Sequence, residues 1–235
     1  MTNPTSTIAV RPIRVLGNWA LGLIAATLAL TFLVTITDAI ALADFENQWA
    51  RPQVRGDDLQ EWQSNVALAG MQWLALLAAA IVFTAWLWRA RRNAEALCTA
   101  RHHLPIGWVI GGWICPIVSF WFPAWILTDV VRASDPRTPP DTADLSQRPV
   151  DGLVIGWWLM FMLTWVLAIV AAPLSAPELR SQTTDEYFMY ASAPRGGWGL
   201  IAVEFLQDVA LAGAAACLAA VVLRVGRWQQ ERAAA

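Results

Sequence analysis

Four stretches of this 235-residue chain carry almost no charge and reach about the 20 residues that a helix needs to cross a ~30 Å hydrocarbon core. They are Val15 to Ile36, Val66 to Trp88, Leu153 to Leu174 and Leu200 to Leu223. A backbone surrounded by lipid must satisfy its own polar groups, which a helix does within one segment. The composition agrees: 57% of the residues are hydrophobic and 14% charged, where soluble domains approach a quarter charged. The expected fold class is therefore an all-α integral membrane protein with four transmembrane helices. A single membrane domain over 11–235 would hold helices at about 12–43, 66–100, 151–174 and 198–228, after a disordered N-terminal tail over 1–10. Arg11 and Arg14 ahead of an apolar run ending Ala41-Leu42-Ala43 have the order of a signal peptide, but the run exceeds the ~7 to 15 residues of a signal core. The first helix is expected to stay.

A fifth apolar stretch, Leu104 to Leu127 within a segment at about 104–134, is broken by Gly107, Gly111, Pro116 and Pro123. Proline inside a helix removes a donor and clashes with the preceding turn, so two short helical pieces are expected. The piece from Pro105 to Cys115 would span ~16 Å at 1.5 Å per residue, about half the core. Arginine placement decides whether this segment crosses or returns, because cytoplasmic loops collect Lys and Arg. All 16 basic residues are arginine. If the segment returns to its own side, twelve of them (11, 14, 89, 91, 92, 101, 132, 137, 148, 224, 227 and 232) lie inside and four (51, 55, 180 and 195) outside. If it crosses, the split is eight to eight. A re-entrant or interfacial segment, with both termini cytoplasmic, is the expectation, and a bacterial cell (inner) membrane the expected location.

Between the helices lie an acidic loop over 44–65, a flexible Pro- and Asp-rich linker over 135–150, and a polar loop over 175–197 with the patch Tyr187-Phe188-Met189-Tyr190. On the first helix Thr27, Thr31, Thr35 and Asp38 share one face, which should look inward. Glu204 and Asp208 stand one turn apart on the last helix, with Ala212 and Ala216 continuing a close-packing face. Asp38, Gln72, Glu204 and Asp208 form a candidate polar or ion site, in which Asp208 would be met by the Thr35/Asp38 stripe or by Gln72. At the opposite end of the bundle, Trp88, Arg89, Arg92 and Asn93 close the second helix. Asp129 is the only carboxylate between Glu95 and Asp135, so Arg89 or Arg92 is expected to pair with it among Trp88, Trp121 and Trp125, leaving Asn93 to bond the broken backbone.

The spacing Trp88-x-x-Arg91-x-Asn93-x-x-Ala96-Leu97, then Gly107-Trp108-x-x-Gly111-x-Trp113-x-x-Pro116, Trp121-x-Pro123 and Asp129-x-x-Arg132-Ala133-Ser134-Asp135-Pro136, resembles a family of multi-pass membrane proteins common in actinobacteria and known as domain of unknown function 4328. The resemblance runs from about Val15 to Arg232. Phe122 departs from the family pattern, in which a basic residue often stands between the Trp and the Pro; that argues against charge-based head-group binding at this position. The resemblance implies location and architecture, and no activity or catalytic residue comes with it.

Sites for chemistry are sparse. His102 and His103 are adjacent, so on a helix their rings would point about 100° apart, with no ligand set beside them. Cys98, Cys115 and Cys217 lack metal spacing and read as packing thiols. Gly107-x-x-x-Gly111 reads as a helix-contact motif, and neither a phosphate loop nor a serine elbow is present. The sequence therefore points to a structural or interaction component that binds protein or lipid, with membrane lipids and a membrane-protein partner or second copy as partners. No cofactor, metal, nucleic acid or catalysed reaction is expected. The alternative is a small transporter or channel-like protein using the outer-half carboxylates and the broken segment.

Overall fold

A computed structural model describes residues 10–50, 66–183 and 188–234. The tail over 1–9, most of the acidic loop (51–65) and the tip of the second polar loop, Tyr187 included, lie outside the described residues. In chain order the elements are α1 (Arg14–Trp49), α2 (Val66–Leu97), α3 (Trp108–Ile114), a 3-10 turn (Val118–Phe120), α4 (Phe122–Ser134), α5 (Gly152–Leu174), β1 (Pro177–Thr183), β2 (Phe188–Pro194) and α6 (Trp198–Ala234). Four of the helices, α1, α2, α5 and α6, are long and apolar enough to cross a membrane. α2 and α5 turn large apolar side chains outward: Trp73, Leu74, Leu77 and Ile81 on one, and Leu159, Trp165, Val166 and Ile169 on the other, are exposed. Continuous apolar surface of this kind is rare in water.

The chain gathers into two compact units. The first takes α1 as far as Ala25, the stretch Leu76–Leu159 and α6 from Gly213; the second takes the remainder of α1, α2, α5 and α6 together with β1 and β2.

In the first unit the broken segment takes the form its prolines impose. α3 is 7 residues long and α4 is 13, about 10 and 20 Å at 1.5 Å per residue, so neither is long enough to cross a bilayer by itself. Pro123 occupies the first turn of α4, where its missing donor costs nothing. The contact glycine between the two pieces is Gly112, whose absent Cβ would come within 3.2 Å of Phe122 and 3.8 Å of Ile126. The expected Gly107/Gly111 motif does not fill that role: Gly107 faces open space, and Gly111 meets only Trp108 of its own helix. One carbonyl freed by the break finds a partner on the next helix, where Trp158 Nε1 of α5 donates to Phe120 O at 3.0 Å.

The linker over 135–150, expected to be flexible, is fastened to the end of α2. Thr99 donates to Pro140 O from its amide at 2.9 Å and from its hydroxyl at 3.1 Å. Arg101 and Asp144 form an isolated parallel bridge, and Leu145 is buried with Ala94, Cys98, Ala100 and Ala133. Asp151 then caps α5, accepting from Leu153 N at 2.8 Å and from Arg224 Nη2.

In the second unit two boundaries differ from expectation. α1 continues to Trp49, so Asp44 and Glu46 are helical and not in a loop; Phe45 stacks on Trp49 at 6.0 Å there. The polar stretch over 175–197 is an antiparallel hairpin, paired from Pro177↔Pro194 to Thr183↔Phe188. It closes where Gly196 donates to Leu174 O at 2.8 Å. No other residue fits at 196, since a Cβ would lie 2.6 Å from that of Leu174, and Gly197 has φ +49°, a conformation L side chains rarely adopt. The buried small residues of α6 are Ala210 in this unit and Ala214 in the first, two positions from the expected Ala212/Ala216 face, of which Ala216 is exposed.

Candidate functional site: a buried polar assembly at the helix ends

α4 presents Asp129 on its buried face between Ile126 and Val130, and the carboxylate is 1% exposed. A buried charge must find partners. His103 supplies two, its amide to Oδ2 at 2.8 Å and its ring Nδ1 against Oδ1 at 2.7 Å. An ionised carboxylate only accepts, so this nitrogen carries the hydrogen. His102 Nδ1 stands 3.7 Å from Oδ2, beyond hydrogen-bond reach, with its side chain 4% exposed and both ring nitrogens without a hydrogen-bond partner. Arg91 Nη1 lies 3.8 Å from Oδ2. Burial by itself would raise the carboxyl above its usual range; the two histidines and the His103 amide outweigh it and hold Asp129 below that range.

Two expectations are corrected here. The arginine facing Asp129 is Arg91, not Arg89 or Arg92: those two are exposed, whereas Arg91 lies on the buried stripe with Leu87, Ala94 and Cys98. Arg91 is shared, donating from Nε to Glu95 Oε1 at 3.1 Å and from Nη2 to Leu104 O at 2.9 Å. Arg92 instead lies over the Trp88 ring at 5.9 Å. The expected tryptophan shelter is also loose, for Trp121 and Trp125 are exposed. The histidines are not helical; the irregular stretch after α2 lets both rings turn to one carboxylate. Adjacent helical rings could not do that.

Asn93 serves a different purpose from the one expected. Its Oδ1 accepts from Arg11 N at 3.0 Å and its Nδ2 donates to Arg11 O at 2.8 Å, a two-point clasp on the chain entering α1. The same Nδ2 donates to Gln229 Oε1 at 2.9 Å. Gln229, buried on α6, donates through Nε2 to Ala90 O at 2.9 Å and to Ser134 Oγ at 2.8 Å. Three turns of chain from α2, α4 and α6 thus meet on one amide. One turn further on, Arg232 donates to Leu97 O, Ala133 O and Asp135 O. These include carbonyls that the ends of α2 and α4 leave without an intrahelical donor.

Above this assembly Phe83, Trp86, Trp113 and Trp157 form an aromatic cluster, with Phe83 stacked on Trp86 at 5.6 Å and edge-on to Trp113 at 6.2 Å. Trp108 meets Phe122 edge-on at 4.8 Å, so Phe122 is used in packing. Pro116 ends α3, its carbonyl accepting from Ser119 Oγ at 2.6 Å.

The second unit holds the other candidate group. Thr27, Thr31 and Thr35 are buried in one row, and the Thr35 hydroxyl donates to Asp208 Oδ2 at 2.8 Å. Glu204, one turn earlier, keeps Oε2 buried without a hydrogen-bond partner. Asp38 and Gln72 are half-buried, and the hydroxyl that meets Asp208 is that of Thr35, from the expected stripe. Among the described residues no three His, Cys, Asp or Glu side chains are grouped so as to hold a metal ion, His102, His103 and Asp129 included.

A family model described as "Domain of unknown function (DUF4328)" matches residues 57–227. The chain belongs to that family. The match takes in α2, the broken segment, α5 and α6 as far as Arg227, so the Asp129 and Asn93 groups lie within the DUF4328 domain, while Gln229 and Arg232 lie just past its matched end. No curated protein and no solved structure matches the chain.

Proposed function

We propose that this DUF4328 protein is a multi-pass protein of a bacterial inner membrane with both termini in the cytoplasm, and that it acts there as a structural or interaction component without a catalysed reaction. The twelve-to-four arginine split supports the threading. So does the make-up of the first unit, which unites the start of α1, the end of α2, the start of α5 and the end of α6 with the whole broken segment. A segment that dips and returns belongs with those ends.

The observation that carries the reading is the Gln229 amide. Its hydrogen bonds to Asn93, Ala90 and Ser134 fasten α2, α4 and α6 to one another, the use expected of polar side chains in a rigid support. Held by this fastening, α3 and α4 present exposed Ile114, Ile117, Phe120, Trp121 and Trp125, an apolar surface for a membrane-embedded partner or lipid. Photo-crosslinkers at Trp121 and Trp125 in native membranes should trap a defined protein, second copy or lipid. Robust ion or proton flux through proteoliposomes of the pure chain, abolished by Asp208→Asn, would overturn the reading.

That outcome belongs to a second reading, a small transporter, which the buried Thr35–Asp208 bond and the adjacent Glu204 favour. Intramembrane carboxylates facing other helices often mark ion paths.

A further inference from the structure

In the first unit, a cavity of about 240 Å³ opens where the start of α1 meets the end of α6 over Trp86 of α2. Ile13, Trp86 and Leu223 supply apolar wall, and Arg14, Asn18 and Arg227 supply polar groups. Arg14 and Asn18 are one helical turn apart, as are Leu223 and Arg227, so each helix contributes one guanidinium. Both arginines are exposed and have no carboxylate within 4.0 Å among the described residues. The arginines on the neighbouring ends are largely committed: Arg91 to Glu95 and Leu104, Arg224 to Asp151, and Arg232 to three carbonyls.

The hollow is built by glycine. Gly17 lets α1 approach so closely that a Cβ there would lie 3.1 Å from Val222 and 3.3 Å from Trp86 Nε1. Gly226 is buried, yet a Cβ on it would meet nothing within 4 Å, so the space beside it is the cavity itself. Outside the rim the surface continues apolar through exposed Val15, Trp19 and Leu223.

We propose that this cavity binds the headgroup phosphate of an anionic phospholipid, with Arg14 and Arg227 on the phosphate, Asn18 on the polar headgroup, and an acyl chain along Val15, Trp19 and Leu223. Guanidinium matches phosphate geometry with paired donors, and basic pockets between membrane helices near the cytoplasmic surface favour anionic lipid. A volume of about 240 Å³ holds a headgroup and not a whole lipid, which is why the exposed apolar strip belongs to the site. The inference rests on the membrane location proposed above and deepens it by naming one lipid class and one place.

Native mass spectrometry of the full chain in mixed micelles, doped with phosphatidylglycerol or with phosphatidylcholine, tests it. The wild type should retain one phosphatidylglycerol and strip clean of phosphatidylcholine. Arg14→Gln with Arg227→Gln should weaken retention at least about tenfold, and Arg89→Gln with Arg92→Gln, two exposed arginines elsewhere, should leave it unchanged. Gly226→Leu, which fills the hollow and keeps both arginines, should lose the lipid as well. Equal loss in the two arginine pairs means general attraction of headgroups, and undiminished retention in Gly226→Leu means no cavity site; either overturns the proposal. Displacement by inorganic phosphate at the lipid's concentration overturns it too, by making this an anion site with no need of a lipid. Helical circular dichroism and monodisperse elution qualify each variant, and if one fails to fold, the other variant with the phosphate competition decides. Asp208-dependent flux would end the scaffold reading without moving these retention ratios, so the two can fail separately.

Discussion

His103 holds Asp129 at both carboxylate oxygens, with its amide on Oδ2 and its ring on Oδ1. One residue of an irregular stretch thereby fixes α4 to the end of α2, and it does so with a charge that water scarcely reaches.

Asp129→Ala should therefore be costly. Removing the carboxylate leaves buried Arg91 without the charge it faces and the His103 amide without its acceptor, at about 3 to 5 kcal/mol. Thermal unfolding in detergent reads this directly, and a loss below about 1 kcal/mol would show that the group is solvated. The pH dependence has a definite sign. Asp129 is held below its unfolded range, so its contribution is complete above that range and is lost as pH falls through the depressed folded value. Asp129→Asn should remove that acid-side loss from a plot of Tm against pH.

Gln229→Leu tests the amide that joins three helices. It leaves Asn93 and Ser134 short of a partner in a buried place, at roughly 1 to 3 kcal/mol for each unsatisfied group. Combined with Asn93→Leu the losses should fall short of additive, because the two side chains share one bond. Strict additivity in denaturant titrations would contradict the shared network.

Arg232→Lys should behave as a damaging change, since one ammonium cannot reproduce the guanidinium's reach to Leu97, Ala133 and Asp135. Hydrogen exchange should rise at the end of α2 and the end of α4 together. A change confined to α6 would argue against the cap.

The proposed threading predicts that a cysteine at exposed Ser146 or Arg227, in a background lacking Cys98, Cys115 and Cys217, reacts with an impermeant reagent only after the cytoplasmic face is opened. Cysteines at Gln53 and Ser181 should react from outside in intact cells. Labelling of Ser146 from outside would mean that the broken segment crosses.

The spans and the break were readable from sequence for physical reasons. Length and hydropathy decide a span almost alone, and Pro116 and Pro123 forbid a straight helix whatever surrounds them. The partner of Asp129 was not readable in the same way. Charge and helical spacing select Arg89 and Arg92 equally with Arg91, and only packing shows which face of α2 is buried. The histidines were hidden more deeply, because the argument against them assumed a helix, whereas residues 101–103 form none. One signal was available: Pro105 follows closely, and a residue before proline is biased away from helix. Gln229 left no trace in any pattern, being one of two adjacent glutamines near the end of α6. The hairpin was concealed by its polarity, since β1, PELRSQT, reads as a loop until its pairing with β2 is seen.

The clasp of Thr99 on Pro140 and of Arg101 on Asp144 closes everything between them into a ring of chain with a narrow neck. Closing such a ring is the entropic step, and its cost grows only with the logarithm of the ring's length. Loop residues of the ring that grip neither α2 nor α6 can therefore be added at little entropic cost while Thr99 still meets Pro140 at the neck. The neck is in this sense a latch for the loops of the ring, separate from the bonds of His103, Gln229 and Arg232 that hold α4 itself.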